Sequence, residues 1–285
     1  MKIKYLHHHL GLGDHFCLNG LVHELIKRWN VDKLYLFCWD HNLVTLNALY
    51  HDTKVELIPI TSNLNEDKQI QSILRIKNLN IHHNGEVDWI NGNSGTYFKL
   101  GFDWMKNECH NKISNYVSCD QCFYLQAKVP YEFRFDGFKY KRNLEKEKQI
   151  FDDLNSNNVP YKFIVIDDPS RGMVAPSRKC LKSDINVIEN PKQYNILDLG
   201  LLLENAEEIH VMDSSIRCFI DCRSVLNMIK PKLFIHAWRG GIWGNSTLLP
   251  WTVIWQDCAE ENFTSKYPMY TGNNNSYTIN GYKIT

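Results

Sequence analysis

No stretch of this 285-residue chain is long and apolar enough to span a bilayer. The most apolar segment, Ile196 to Ala206, is interrupted by Asp198 and Glu204, and it falls short of the roughly 18 apolar residues a span requires. A membrane span is therefore excluded, although peripheral association is not. Net charge is missing too: 32 Lys+Arg balance 32 Asp+Glu. No overall field draws a polyanion, so nucleic acid is not an expected partner, while a local basic pocket for one phosphorylated small molecule remains compatible with the totals. The nine cysteines are odd in number, lack the density of a disulfide scaffold and follow no signal-peptide pattern. Reduced thiols in a cytoplasmic protein are expected. No Asp-x-Asp pair ends a strand, as a divalent cation held against a diphosphate would favour, so metal-free chemistry is expected. The third glycine of a dinucleotide-binding turn is also absent. Gly11-Leu-Gly13 follows the first strand and Asp40 ends the second, but Phe16 stands where that fingerprint needs a glycine, which disfavours an NAD-dependent oxidoreductase.

What is present is an alternation of short apolar strands and helices. Lys2 to His9 reads as a strand, Phe16 to Trp29 as a helix, Lys33 to Trp39 as a strand and His41 to His51 as a helix. Lys54 to Ile60 alternates like a third strand, and Glu66 to Lys77 reads as a helix. Glu86 to Ile90 looks like a strand end, Phe98 to Tyr131 like helix, and Phe138 to Asn155 like a charged helix at the junction between two halves. A second series opens with the buried-strand run Tyr161 to Ile166. It continues with a helix over Asn195 to Asn205, a strand over Glu208 to Met212, a helix over Ser214 to Met228 and a strand over Lys232 to Ala237. Trp251 to Cys258 is expected to pack across the junction, and the tail from Thr271 reads as loop with at most a short terminal strand. Such an order implies parallel sheets covered by helices. The expected fold class is α/β, with an N-terminal Rossmann-like domain over residues 1–140 and a C-terminal one over residues 141–285.

In an open parallel sheet, ligands bind beyond the carboxyl ends of the strands, so the turns there are read for chemistry first. After the first strand come Gly11, Gly13, Asp14 and His15. The glycines let a ligand approach the backbone, and Asp14 suits a base taking a proton from a hydroxyl, or equally a helix cap; His15 and His9 are alternative bases. The loop Asp167-Asp-Pro-Ser-Arg-Gly172 offers Ser170 and the planar guanidinium of Arg171 to a diphosphate, or is an exposed Asp-Pro turn. At Asp213-Ser214-Ser215, two hydroxyls and the open amides of a helix start suit a phosphate, while Asp213 suits a sugar hydroxyl or a cap. Glu204 or Glu208 is a candidate ribose ligand by position. Cys119-x-x-Cys122 with Cys109 or His110 has the ligand types of a tetrahedral zinc site but lacks a matching second Cys-x-x-Cys pair, and reads instead as buried thiols. His7-His-His9, on a strand, cannot converge on one ion.

Gly11-Leu-Gly-Asp14 before a helix, and Asn195-Ile-Leu-Asp-Leu-Gly through Ala206-Glu-Glu-Ile-His-Val-Met-Asp-Ser-Ser215, together resemble two-domain glycosyltransferases of the GT-B type. They resemble the ADP-heptose heptosyltransferase family more loosely. Ser214-Ser215 stands where that family has Thr-Gly, and Ile216-Arg-Cys-Phe-Ile220 replaces its His-x-Ala. The resemblance implies two Rossmann-like domains facing a cleft, with an acceptor on the first and a nucleotide sugar on the second. It implies Asp14 as catalytic base, transfer with inversion, Arg171 stabilising the departing diphosphate, and no required cofactor beyond the nucleotide-sugar co-substrate. The partners implied are that donor and a glycan or other hydroxyl acceptor. The alternative from another class is a non-catalytic nucleotide- or glycan-binding protein, with Trp238, Trp243, Trp251 and Trp255 stacking on sugars.

Overall fold

The computed structural model describes residues 1–76, 96–102, 105, 117–165, 181, 185–222, 231–236, 249–254, 260–262, 277–279 and 282–284. The chain divides into two compact units, Met1–Tyr140 with Lys266–Thr285, and Lys141–Ser265.

The first unit is a parallel sheet of β1 (Ile3–His7), β2 (Lys33–Trp39), β3 (Val55–Ile60) and β4 (Thr96–Lys99) in the order β3-β2-β1-β4. Three helices, α1 (Leu12–Trp29), α2 (Leu43–Leu49) and α3 (Glu66–Ile76), alternate with these strands. Further on lie α4 (Cys119–Gln126) and the single turn α5 (Phe133–Asp136). Helix α1 has the expected polarity, with Asp14 in its first turn and Lys27 and Arg28 in its last. Asn30 ends it in the left-handed region, its N–H turned back to the carbonyls of Ile26 and Lys27.

Tyr5, Phe37, Ile60, Ile70, Leu74 and Tyr97 form one core cluster of this unit. Elsewhere in the core Trp29 stacks on Phe98 with ring centroids 4.6 Å apart. The buried Lys4 lays its Nζ 5.0 Å from the Trp29 ring and 4.9 Å from Phe98. Phe98, expected in a helix, therefore belongs to β4, whose pairing with β1 seats it beside α1.

The second unit carries β5 (Tyr161–Val165), β6 (Asn186–Glu189), β7 (Glu208–Met212), β8 (Lys232–His236), β9 (Trp251–Ile254) and β10 (Glu260–Asn262). The order is β10-β9-β8-β7-β5-β6, parallel throughout except at the β10 edge. Its described helices are α6 (Leu144–Leu154), α7 (Gly200–Asn205) and α8 (Ser215–Cys222). The charged helix thus begins at Leu144, capped by the Asn143 side chain on the Lys146 N–H, and not at Phe138. A buried Glu147 on α6 pairs with Arg142, and it occupies the space a Cβ at Gly200 would need. A hairpin of β11 (Tyr277–Ile279) and β12 (Tyr282–Ile284) lies in the tail. Two parallel α/β sheets are therefore present, as the alternation of elements implied. No helix among the described residues is long and apolar enough to cross a membrane.

Candidate functional site

The carboxyl end of β1 gathers several titratable groups, and their geometry separates structural from reactive ones. His7 is clamped, with Nδ1 2.8 Å from the Tyr97 hydroxyl and Nε2 2.8 Å from Glu66. Burial lowers its pKa even though Glu66 works the other way. His8 donates from Nδ1 to the His9 carbonyl, and burial drives its pKa down to about 3. Its ring meets His15 edge-on at 4.4 Å. His15 is completely buried, neither ring nitrogen has a hydrogen-bond partner, and burial holds its pKa well below the ordinary value. The structure thus places His15, read as an alternative base, on the buried face of α1 against His8.

Asp14 stands differently. The helix begins at Leu12 with Gly11 as its cap, so Asp14 is the third helical residue and its carboxylate folds back to the backbone N–H groups of Gly11 and Asp14. A Cβ at Gly11 would lie 2.7 Å from Asp14 Oδ2, so a side chain here would make the Asp14 carboxylate shift. Gly13, read as a point of ligand approach, lies inside the first helical turn. Burial, followed by the neighbouring Asp120 charge, outweighs those backbone bonds and pushes the Asp14 pKa up to about 7. Asp120 is held in place by a fully buried network in which Arg134, Tyr131 and the Ser118 hydroxyl all donate to its carboxylate. Capping and a raised pKa thus coexist in one carboxyl group.

His9, Asp14 and Cys119 bring ligand-type atoms within 4.8 Å of one another, a grouping that the search around Cys119-x-x-Cys122 did not assemble. The Phe102 N–H donates to His9 Nε2 at 3.1 Å. A neutral His9, its pKa lowered to about 4 by burial, then carries its proton on Nδ1 and has no lone pair left for a cation. The trio as held is a polar wall around Asp14. Cys122, the other thiol of that motif, is buried.

In the second unit the candidate turn follows β7. Arg217 donates from Nε to Asp213 Oδ1 at 2.6 Å and from Nη1 to Asp221 Oδ2 at 2.7 Å, while Trp251 Nε1 donates to Asp221 at 2.9 Å. Asp213 is therefore a braced residue at the helix start. Ser214 turns its hydroxyl back to the Met212 carbonyl at 3.3 Å, and Ser215 opens α8. Glu204 is bound bidentately by Arg142, at 2.8 and 3.1 Å. Glu208 pairs with Lys162 at 2.7 Å. Both glutamates precede or begin β7, at the edge opposite the carboxyl ends, which removes the positional case for either as a ribose ligand. Ser170, Arg171 and the rest of their loop lie outside the described residues, as do Cys109, His110, Trp238, Trp243, Trp255 and the strand end over Glu86 to Ile90.

No family model matches the chain, and a search of the curated proteins finds no match. Among solved structures it is similar to a glycosyl transferase family 9 protein from Veillonella parvula, at 10% identity over 83% of this chain and 80% of that one, TM-score 0.49. It is also similar to the E. coli ADP-heptose LPS heptosyltransferase II, at 10% identity over 83% and 84%, TM-score 0.48. A third similar structure is E. coli heptosyltransferase WaaC with ADP, at 11% identity over 82% and 87%, TM-score 0.37. Similarity of this degree decides no residue's role.

Proposed function

We propose that the chain is a glycosyltransferase that moves a sugar from a nucleotide-sugar donor to an acceptor hydroxyl, without a metal and with inversion. The observation that carries the reading is Asp14: a carboxyl group at the carboxyl end of β1 whose pKa is pushed up to about 7. A general base works best when its pKa lies near the working pH, because it is then both largely deprotonated and basic enough to accept the proton. An ordinary exposed carboxylate lacks that basicity. In this reading Asp14 takes the proton of the acceptor hydroxyl as the oxygen attacks the anomeric carbon, and the nucleotide diphosphate leaves from the opposite face. Ser214, Ser215 and the open amides at the start of α8 receive phosphate oxygens, helped by the helix dipole. Arg171 and Ser170 keep the diphosphate role that residue type suggests, with Arg171 neutralising the charge of the leaving group.

Purified protein incubated with UDP, GDP, ADP and CMP sugars and mixed glycan acceptors is expected to release nucleotide. Asp14→Asn and Asp14→Ala are expected to lower turnover by roughly a hundredfold or more, in the range for loss of a general base, while donor affinity stays within about twofold. Because the base acts deprotonated, kcat/KM rises with pH through about 7 and then levels. Full turnover in Asp14→Ala removes the base assignment. Donor binding without consumption of any sugar favours a non-catalytic binding protein instead.

A further inference from the structure

Lys162, Glu208, His210 and His236 make a hydrogen-bonded line across one face of the second sheet. Glu208 Oε2 lies 2.7 Å from Lys162 Nζ and 3.1 Å from His210 Nε2, and His210 Nδ1 lies 3.0 Å from His236 Nε2. The line starts at the amino ends of β5 and β7 and finishes at His236, the last residue of β8, which is level with Met212 at the end of β7. It therefore crosses the sheet from the edge where ligands do not bind to the edge where they do. The next residues after Met212 are Asp213, Ser214 and Ser215.

Proton bookkeeping along this line fixes each tautomer. Burial tends to raise the Glu208 pKa, but hydrogen bonds from Lys162 and His210 outweigh it and the pKa falls. The carboxylate therefore only accepts, and His210 Nε2 carries a proton. Burial disfavours a second proton on His210, which is stacked on Phe234 at 4.5 Å. His210 is thus neutral, and its Nδ1 accepts. His236 must then donate from Nε2. Burial, followed by the proximity of His210, lowers the His236 pKa to about 3, so Nδ1 carries a lone pair and no proton. That nitrogen is buried, and it has no hydrogen-bond partner.

We infer that His236 Nδ1 is a built acceptor for an O–H or N–H donor of the nucleoside part of the bound nucleotide, held in the accepting tautomer by the line running back to Glu208. A buried acceptor without a donor costs stability, and a ligand hydroxyl or amino group at the carboxyl edge recovers it. Phosphate is the wrong occupant, because an ionised phosphate oxygen has no hydrogen to offer a lone pair. The inference rests on the reading of the second unit as the nucleotide-holding one, and it adds a recognition residue that discriminates nucleoside from diphosphate.

The test uses the full-length protein labelled with 15N-histidine, with two-bond 15N–1H correlation spectra and His236→Gln to assign the resonance. The expected result is His236 protonated at Nε2 and bare at Nδ1. Titration with UDP, GDP, ADP and CDP in turn is expected to find one that binds and moves the Nδ1 resonance upfield, whereas pyrophosphate leaves it in place. His236→Gln keeps a donor for His210 but places no acceptor at the Nδ1 position, and is expected to weaken that nucleotide about five- to tenfold, the size of one neutral hydrogen bond, without changing pyrophosphate affinity. A proton on Nδ1 in the unliganded protein overturns the inference. So does a nucleotide that binds while the His236 resonance stays still, and in that case the nucleotide-sugar reading survives. If none of the four nucleotides binds, that reading falls and the inference falls with it.

Discussion

At the scale of single residues, the raised pKa of Asp14 ties stability to pH. Its carboxyl takes a proton near pH 7 in the folded chain, against an ordinary value of 3.8. Between those two values the folded state binds more proton than the unfolded one, so stability falls as pH rises through that window and is steady on either side. Asp14→Asn cannot ionise, and its melting temperature is expected to exceed that of the wild type at about pH 8, with the gap closing below about pH 4. Thermal melts across that range check this; a wild type that gains on the variant as pH rises would contradict the burial account. The place of Asp14 at the start of a helix was legible in the sequence, because Gly11-Leu-Gly-Asp14 separates a strand run from a helical one. The burial of His15, one residue later, was not. A helix position faces the core or the surface according to what packs on it, and α1 is covered by segments more than a hundred residues away. His236 left no local trace either: it sits in an ordinary apolar strand, and only the cross-strand partner His210 gives it meaning.

At the scale of elements, the contact of α1 with α5 depends on one missing methyl group. A Cβ on Gly20 would run into the Phe133 carbonyl oxygen, a backbone atom with no freedom to yield, and close by Asn19 accepts from the Lys139 N–H at 2.7 Å. Gly20→Ala raises helix propensity, yet it is expected to destabilise the protein by about 1–3 kcal/mol through overpacking. Urea titration measures it, and an unchanged midpoint would show that the two elements part without cost. The opening strands and helices through α3 could be read from periodicity because their patterns are local. β4 could not: Thr-Tyr-Phe-Lys is too short for a period, and its pairing with β1 decides its state. β6 is a mostly exposed four-residue edge strand and escaped for the same reason. The β11/β12 hairpin did have a local signal, since Asn280-Gly281 separates the two strands in sequence, and Asn-Gly is a strong hairpin marker that the sequence reading passed over.

At the scale of the whole molecule, the reduced state of the described cysteines has a measurable consequence. Cys17, Cys38, Cys119, Cys122, Cys218 and Cys222 all carry reduced thiols. Among the described residues, packing and buried ion pairs such as Asp120 with Arg134 hold the structure without help from these six thiols. Thiol titration of the denatured, unreduced protein is expected to return all nine cysteines, and dithiothreitol to leave the melting temperature unchanged. A deficit of two thiols would reveal a disulfide. The even charge balance and the α/β alternation could be taken from the sequence directly, because both are sums over many residues and survive local misreadings.

The position of β1 inside its sheet also bears on how the protein is made. The ribosome releases β1 before its neighbours, one of which is supplied by Thr96–Lys99, and α1 waits longer still for Phe133 and Lys139. A nascent chain thus carries an unfinished strand edge and a half-covered helix until synthesis has passed Lys139. During that interval it is the growing polypeptide, rather than the finished protein, that needs shelter from aggregation.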